Sequence, residues 1–162
     1  MTMSDTFVEI GQAQTARRGE WVCGDVMLRR SIQAENRKLL VLSDGMGKGV
    51  KANIMANLTA SMALNFALDQ KTPGELFDQI HRMLPECSVR RMGYATFTLI
   101  QLEDEGEVHL LNYENPRPIV LRGGTPLELD WHITDLTQSC YVGQVIAKAT
   151  ITPRRDDRII AF

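Results

Sequence analysis

The sequence predicts an α+β domain in which helices pack against antiparallel β-sheets. Apolar residues recur at helical spacing in two segments between residues 50 and 84, whereas from Tyr94 onward they alternate with polar residues at a period of two. A short apolar run at residues 38–43, ended by an Asp-Gly pair, is typical of a buried strand that meets a sharp turn. One strand, a pair of helices and a series of strands is an order expected of this class.

The helical part is predicted to contain two helices. The first runs from about Val50 to Leu68 and is amphipathic. Its apolar stripe consists of Ile54, Leu58, Met62 and Phe66, with Met55 and several alanines beside it. The second begins at Thr72, which can cap it, and ends near Pro85, which disfavours helix in the residue before it.

The second half of the chain is predicted to be almost entirely β. Residues 94–102 and 108–113 flank an acidic turn and indicate a β-hairpin. Further strands are predicted at residues 118–122, 127–133, 141–151 and 158–162. No repeat or linker divides the chain, so we expect residues 1–162 to form a single domain. Because the last predicted strand ends abruptly in an apolar run, we expect this domain to be truncated at its C-terminus.

Composition and charge exclude several classes of function. The net charge of −2 and the dispersed arginine pairs argue against nucleic-acid binding. The chain starts without a secretion signal and contains no run of about 20 apolar residues, so we expect a cytoplasmic protein without a membrane span. Three cysteines without a CxxC pair argue against a zinc site or a disulfide framework.

The glycine-rich segment at residues 43–49 (SDGMGKG) has the composition of a binding turn. Its three glycines permit positive φ angles and let a ligand approach the main chain closely. Such a turn between a strand and a helix suits a phosphate at the helix N-terminus, or a metal held by Asp44 and a neighbouring carbonyl. Both alternatives are compatible with the composition of the turn.

Two nucleotide-binding motifs fail at this turn. A Walker loop requires glycine where Leu42 stands and serine or threonine where Gly49 stands. The dinucleotide motif GxGxxG requires glycine at Val50. A nucleotide-binding regulator therefore remains only a minor alternative.

A second Gly-Asp pair supports the metal alternative. Asp25 follows Gly24 at the start of an apolar run, and two aspartates on adjacent strand ends could meet one hard cation. Oxygen ligands of this kind suit Mg²⁺ or Mn²⁺, which usually keep several waters. Considered alone, Gly24-Asp25 is better explained as an ordinary turn, whereas the glycine-rich segment is better explained by function.

These motifs resemble those of a known enzyme family. Residues 24–25, followed by residues 40–49 and Ala52, resemble the type 2C metal-dependent serine/threonine phosphatases, in the bacterial branch typified by the stage II sporulation protein E (SpoIIE). The resemblance continues through residues 95–98 and 112–118 and covers nearly the whole chain.

The resemblance implies a fold and a site. The fold is an α-β-β-α sandwich of two antiparallel sheets flanked by helices, with a centre of two Mn²⁺ or Mg²⁺ ions that activates water for phosphoserine hydrolysis. By residue, Asp44 matches the metal-bridging aspartate, Gly45 the residue that contributes its carbonyl, and Asp25 the supporting carboxylate. Lys48 could face the substrate phosphate, although a solvated surface lysine is the simpler interpretation.

The chain also departs from the family pattern. The family follows a strand such as residues 158–162 with a second Asp-Gly turn and a further metal-binding aspartate, which this chain does not contain. The resemblance therefore implies at most one metal ion here, weak or absent activity, and an exposed sheet edge that could favour a homodimer. The implied partner is a phosphoserine signalling protein such as an anti-sigma-factor antagonist. The alternative is a non-catalytic module on the same fold that binds phosphoproteins.

Overall fold

The computed structural model describes residues 7–69, 95–103, 106–135 and 145–162. Within these residues the structure contains the long helix α1, Gly49–Leu68, and nine strands. The strands are β1 Asp25–Ile32, β2 Arg37–Asp44, β3 Thr96–Leu102, β4 Val108–Tyr113, β5 Ile119–Arg122, β6 Thr125–Pro126, β7 His132–Asp135, β8 Val145–Ile151 and β9 Arg158–Ile160. A 3-10 turn, Gln33–Glu35, joins β1 to β2.

The strands form two antiparallel sheets. The large sheet has the order β1-β2-β3-β4-β8-β7, and the small sheet has the order β6-β5-β9. The predicted hairpin is confirmed and consists of β3 and β4. The predicted buried strand is also confirmed: it is β2, which lies between β1 and β3 in the large sheet. The α+β prediction is therefore confirmed.

Two cores lie on opposite faces of the large sheet. On one face, Leu39 and Val41 of β2 pack with the alanines of α1. On the other face, Leu110 of β4 packs with Val120 of β5, which places the small sheet against the large one. The layers in the described part of the chain are thus helix, sheet and sheet, which are three of the four layers of the predicted α-β-β-α sandwich.

The first helix is confirmed, but its buried face differs from the predicted stripe. The fully buried positions of α1 are small residues, namely Ala52, Ala56, Thr59, Ala60 and Ala63. Ile54 and Leu58 of the stripe remain 53% and 46% exposed, while Phe66 is buried. Small side chains occupy this interface because α1 comes close to the sheet and to the turn that precedes the helix. Larger side chains would not fit there.

Other predictions met different outcomes. The strand predicted at residues 127–133 is largely wrong: the structure has the short β6 before it and β7 from His132, and between them the chain crosses between the sheets. Leu127, Leu129 and Trp131 nevertheless pack against the second core, which explains their alternating pattern.

The predicted second helix falls outside the described residues. No helix in the described part of the chain is long and apolar enough to cross a membrane.

Candidate functional site

The two predicted aspartates lie side by side at one end of the large sheet. Asp25 is the first residue of β1 and Asp44 the last of β2, and the antiparallel register places them directly opposite each other. The Cβ atoms of residues paired in this way lie about 5 Å apart. Thr96, the first residue of β3, stands opposite Asp44 on its other side. The sheet thus forms a row of three polar side chains across three strands.

This row faces the space between the two sheets. Successive side chains of a strand point to opposite faces. Val26 and Phe97, which follow Asp25 and Thr96 in the sequence, belong to the core beneath α1. The polar row must therefore face the other way, toward the small sheet, at the end of the inter-sheet space. A ligand can reach it there because Asp44 is exposed.

The turn after β2 is locked against α1 through Gly45. Its N–H donates to the carbonyl oxygen of Gly24 at 3.3 Å, which ties the two Gly-Asp segments together. A Cβ atom on Gly45 would lie 1.9 Å from the backbone oxygen of Ala52 and 2.8 Å from that of Gly24, so only glycine fits. Gly47 and Gly49 adopt positive φ angles of 113° and 64°. The glycine-rich segment is therefore shaped by a turn and by close helix packing.

The pair of carboxylates is electrostatically strained. The pKa of Asp44 is raised from 3.8 to about 6, first by desolvation, then by a hydrogen bond with Asp25 and by the negative charge of Asp25. Around Asp25, the Cys23 thiol donates to Oδ2 at 3.6 Å, and the Gln14 side-chain amide donates to the backbone oxygen. Two carboxylates held together in this way would be relieved by a cation.

The residues present fit one hard divalent cation. Asp25 and Asp44 supply carboxylate oxygens, and the carbonyl oxygen of Gly45 lies 3.7 Å from the position of a Cβ on Gly24, beside Asp25. Mg²⁺ and Mn²⁺ accept such oxygen donors and complete their shells with water. Among the described residues, no group of three or more His, Cys, Asp or Glu side chains could hold a metal ion. The three oxygen donors in the described part of the chain would therefore fill about half of an octahedral shell.

Lys48 lies at the N-cap of α1 and not within the carboxylate row. Its side chain is 71% exposed, and its ammonium group is 3.9 Å from Oε1 of Glu20. The Glu20 carboxylate also lies against the first helical residue, since Oε2 would be 2.2 Å from a Cβ on Gly49. A negative charge at this helix N-terminus is favourable by itself and disfavours a bound phosphate. The structure thus favours the metal alternative for the glycine-rich turn over the phosphate alternative.

Sequence analysis missed a buried polar cluster behind the row, which we call the Asn115 network. It consists of Thr96, Thr98, Asn112 and Asn115. The Thr96 hydroxyl donates to Oδ1 of Asn115, and the Thr98 hydroxyl donates to Oδ1 of Asn112 at 2.6 Å. The Asn115 amide nitrogen lies 3.1 Å from Oγ1 of Thr98. The sequence signal that could have revealed this cluster is the presence of polar residues, such as Thr98 and Asn112, at inward positions of otherwise apolar strands.

Comparison with protein families identified a match. The family model described as stage II sporulation protein E (SpoIIE) matches residues 34–134, which is more than half of the chain. This match includes Asp44, Gly45 and the Asn115 network but not Asp25. No curated protein matches the sequence.

Solved structures share the fold at low sequence identity. The PP2C phosphatase domain of SpoIIE from Bacillus subtilis superposes with a TM-score of 0.71 at 18% identity, over 92% of this chain and 42% of that one. A protein from a study of the bacterial stressosome gives 0.65 at 21% identity, over 88% of this chain and 69% of that one. RsbX in complex with magnesium gives 0.60 at 15% identity, over 92% of this chain and 70% of that one. The fold is therefore that of PP2C-type phosphatase domains, of which this chain spans a part.

Proposed function

Because the chain belongs to the stage II sporulation protein E (SpoIIE) family and has a PP2C-type fold, we propose that it is the catalytic part of a metal-dependent protein serine/threonine phosphatase. The observation that carries the proposal is the register of β1 and β2, which sets Asp25 directly against Asp44 at the open end of the inter-sheet space. Two adjacent carboxylates can hold a cation that activates water, which suits hydrolysis by water.

The two aspartates have a binding role in this proposal. Asp25, Asp44 and the carbonyl of Gly45 would hold Mn²⁺ or Mg²⁺. When bound, the cation supplies positive charge that neutralises the phosphate and activates water for attack. Without it, the carboxylate row would repel a phosphate dianion. Substrate binding itself, and not only the chemical step, should therefore depend on the cation.

Protonation of Asp44 competes with this binding. Because its pKa is raised to about 6, a large fraction of Asp44 carries a proton in mildly acidic solution and cannot act as an anionic ligand. Cation affinity, and with it activity, should rise from pH 5 toward pH 8. Lys48, exposed at the start of α1, could meet acidic groups of an approaching protein but has no place in the carboxylate row.

The proposed substrate is a phosphoserine signalling protein of bacterial type, such as an anti-sigma-factor antagonist. Support comes from the SpoIIE family match and from the fold shared with a protein from a study of the stressosome. The chemistry of the row requires only a phosphate monoester and a cation, so the identity of the protein partner must come from surfaces outside the row.

One observation favours a second candidate, a phosphoprotein-binding module without hydrolysis. In the described part of the chain, no group of three or more His, Cys, Asp or Glu side chains could hold a metal ion, and the pair Asp25 and Asp44 suits one cation better than two. A single bound cation can hold a phosphate without completing the centre that hydrolysis needs.

The test combines metal binding with hydrolysis. Mn²⁺ affinity would be measured by electron paramagnetic resonance, and hydrolysis with para-nitrophenyl phosphate and a phosphoserine peptide. The variants are Asp44→Ala and, as a control, Asp130→Asn, which alters an exposed aspartate away from the row. Mn²⁺-dependent hydrolysis that Asp44→Ala abolishes and the control retains supports the phosphatase. Mn²⁺ binding without hydrolysis favours the binding module, and absence of Mn²⁺ binding contradicts both.

A further inference from the structure

The loop after β4 folds back onto the strand that carries Thr96. Glu114 has a positive φ of 56°, and it forms a bridge with Phe97, the residue after Thr96. This places Asn115, which is 8% exposed, behind the polar row. Its side-chain amide also reaches toward the backbone oxygen of Leu42 at 3.4 Å. The loop therefore connects β4 to the ends of β2 and β3, where Asp44 and Thr96 stand.

The hydrogen bonds of the Asn115 network run in one direction. The starting point is the backbone carbonyl of Asn115, which can only accept, so the Asn112 group 2.7 Å away must be its NH₂. The oxygen of Asn112 then accepts, and the Thr98 hydroxyl must donate to it. Oγ1 of Thr98 in turn accepts from the Asn115 amide nitrogen, which leaves the Asn115 side-chain oxygen to accept from Thr96.

This direction fixes what Thr96 can offer to the cleft. A threonine hydroxyl has one proton and two lone pairs. The Thr96 proton is used by Asn115, so only lone pairs remain on the side of Asp44. Ionised Asp25 and Asp44 are acceptors as well. The whole row therefore accepts hydrogen bonds and donates none, and a water molecule on it must direct its hydrogens toward the row.

We propose that Thr96 orients the attacking water as a catalytic residue, and that Asn115 is the positioning residue that fixes the Thr96 hydroxyl. This inference rests on the proposed phosphatase function. One water can bridge Oγ1 of Thr96 and the Asp44 carboxylate, because cross-strand partners stand about 5 Å apart at Cβ. With its hydrogens directed to these acceptors, the water presents a lone pair outward to the phosphorus. The new P–O bond forms from this oxygen as the bond to the serine oxygen breaks. The water proton directed at Asp44 is released to solvent, the serine oxygen takes up a proton from solvent, and the other water proton remains on inorganic phosphate.

The main experiment compares Thr96→Val with Thr96→Ser in the full chain. Valine removes the acceptor at nearly constant shape, whereas serine keeps it. We expect Thr96→Val to lower kcat by about 10- to 100-fold, as for a misplaced reactant, with KM and Mn²⁺ affinity within about twofold of the unchanged protein. Thr96→Ser should restore most of kcat. Asn115→Asp, which keeps the shape but cannot donate to Thr98, should lower kcat in the same way.

The control variant is Thr59→Val. Thr59 is a fully buried threonine of α1 whose hydroxyl has no hydrogen-bond partner, so its removal should change neither kcat nor Mn²⁺ affinity and should not lower the melting temperature. The side-chain amide resonances of Asn115 in a ¹⁵N spectrum give a readout independent of activity, and they should shift in Thr96→Val and remain in place in Thr59→Val.

The outcomes separate this inference from the proposed function. An active unchanged protein whose Thr96→Val variant keeps its kcat overturns the role of Thr96 alone. Parallel loss of kcat, Mn²⁺ affinity and stability in both Thr96 variants assigns the network a structural role only and also overturns the inference. An unchanged protein that binds Mn²⁺ but hydrolyses nothing overturns the phosphatase, and the inference with it.

Discussion

Without metal, the Asp44→Asn variant should be more stable than the unchanged protein. With metal bound, it should be less stable than the unchanged protein. In the folded state the pKa of Asp44 is about 6, above its ordinary 3.8, so the folded protein holds this proton more tightly than the unfolded chain does. The resulting stability is fully present below pH 3.8 and is lost as the pH rises through about 6. Above that pH the charged aspartate pair opposes folding, and Asp44→Asn removes the opposition.

The size of the effect follows from the pKa difference. One pKa unit corresponds to about 1.4 kcal/mol, but Asp44 is accessible to solvent, which screens its charge, so we expect a gain on the order of 1 kcal/mol at pH 7.5. For a domain of this size that raises the melting temperature by roughly 2–4 °C. At pH 3.5 the gain should vanish. Saturating Mn²⁺, at about 100 times its Kd, should stabilise the unchanged protein by about 2.7 kcal/mol and Asp44→Asn hardly at all.

Differential scanning calorimetry at pH 3.5, 5.5 and 7.5, with a chelator or with Mn²⁺, measures all of these values. Asp130→Asn makes the same change of charge at an exposed position and corrects for the altered net charge. If Asp44→Asn is less stable than the unchanged protein at pH 7.5 without metal, the carboxylates do not repel each other as the structure indicates. If Mn²⁺ stabilises the variant as strongly as the unchanged protein, Asp44 is not a metal ligand.

Three further predictions concern packing and charge. Gly45→Ala should lower the free energy of unfolding in urea by about 3 kcal/mol, because its Cβ would meet backbone atoms of α1. Gly47→Ala has open space around it and should lower this free energy by only about 1 kcal/mol, because of its positive φ. Equal losses would contradict the close packing of the turn. Ala60→Leu should lower stability by about 1–3 kcal/mol in the same assay, since Ala60 is fully buried against the sheet, and a neutral effect would show that the helix does not sit there. Arg122→Ala should lower the melting temperature at pH 7, because Arg122 bonds Asp157 at 2.7 Å and holds the pKa of that carboxyl below its usual range. This contribution is present above pH 3.8 and disappears as the pH falls through the lowered pKa, so the difference between variant and unchanged protein should shrink in strong acid; a constant difference would contradict the ion pair.

Much of the fold was predictable because its signals are local. The run at residues 38–43 and the period of two after Tyr94 report how one strand alternates between its faces, and both became strands of the large sheet. The face of α1 was less predictable. Its stripe of large apolar residues suggested burial, but the close approach of the helix selected alanines, and Leu58 was left exposed.

The candidate site also has features that were predictable from the sequence and features that were not. Asp25 and Asp44 were identified because glycines mark sharp turns beside them, and their residue types indicated a hard cation. Their distance from each other depends on the register of β1 with β2, which is set by the geometry of the loop at residues 33–36 and not by the residue types beside the aspartates. Asn115 was not identified as a site residue, although it lies in a segment that carried the resemblance, because its partners Thr96 and Thr98 lie almost 20 residues away in the sequence.

The sequence by itself determined the class of fold, the family resemblance and the two carboxylates, since each depends on residue types within a few positions of one another. Only the tertiary structure decided which face of α1 is buried, that the aspartates share one face with Thr96, and in which direction the hydrogen bonds behind them run. The physical reason is that burial, strand register and hydrogen-bond direction depend on contacts between distant segments, which form only when the chain folds.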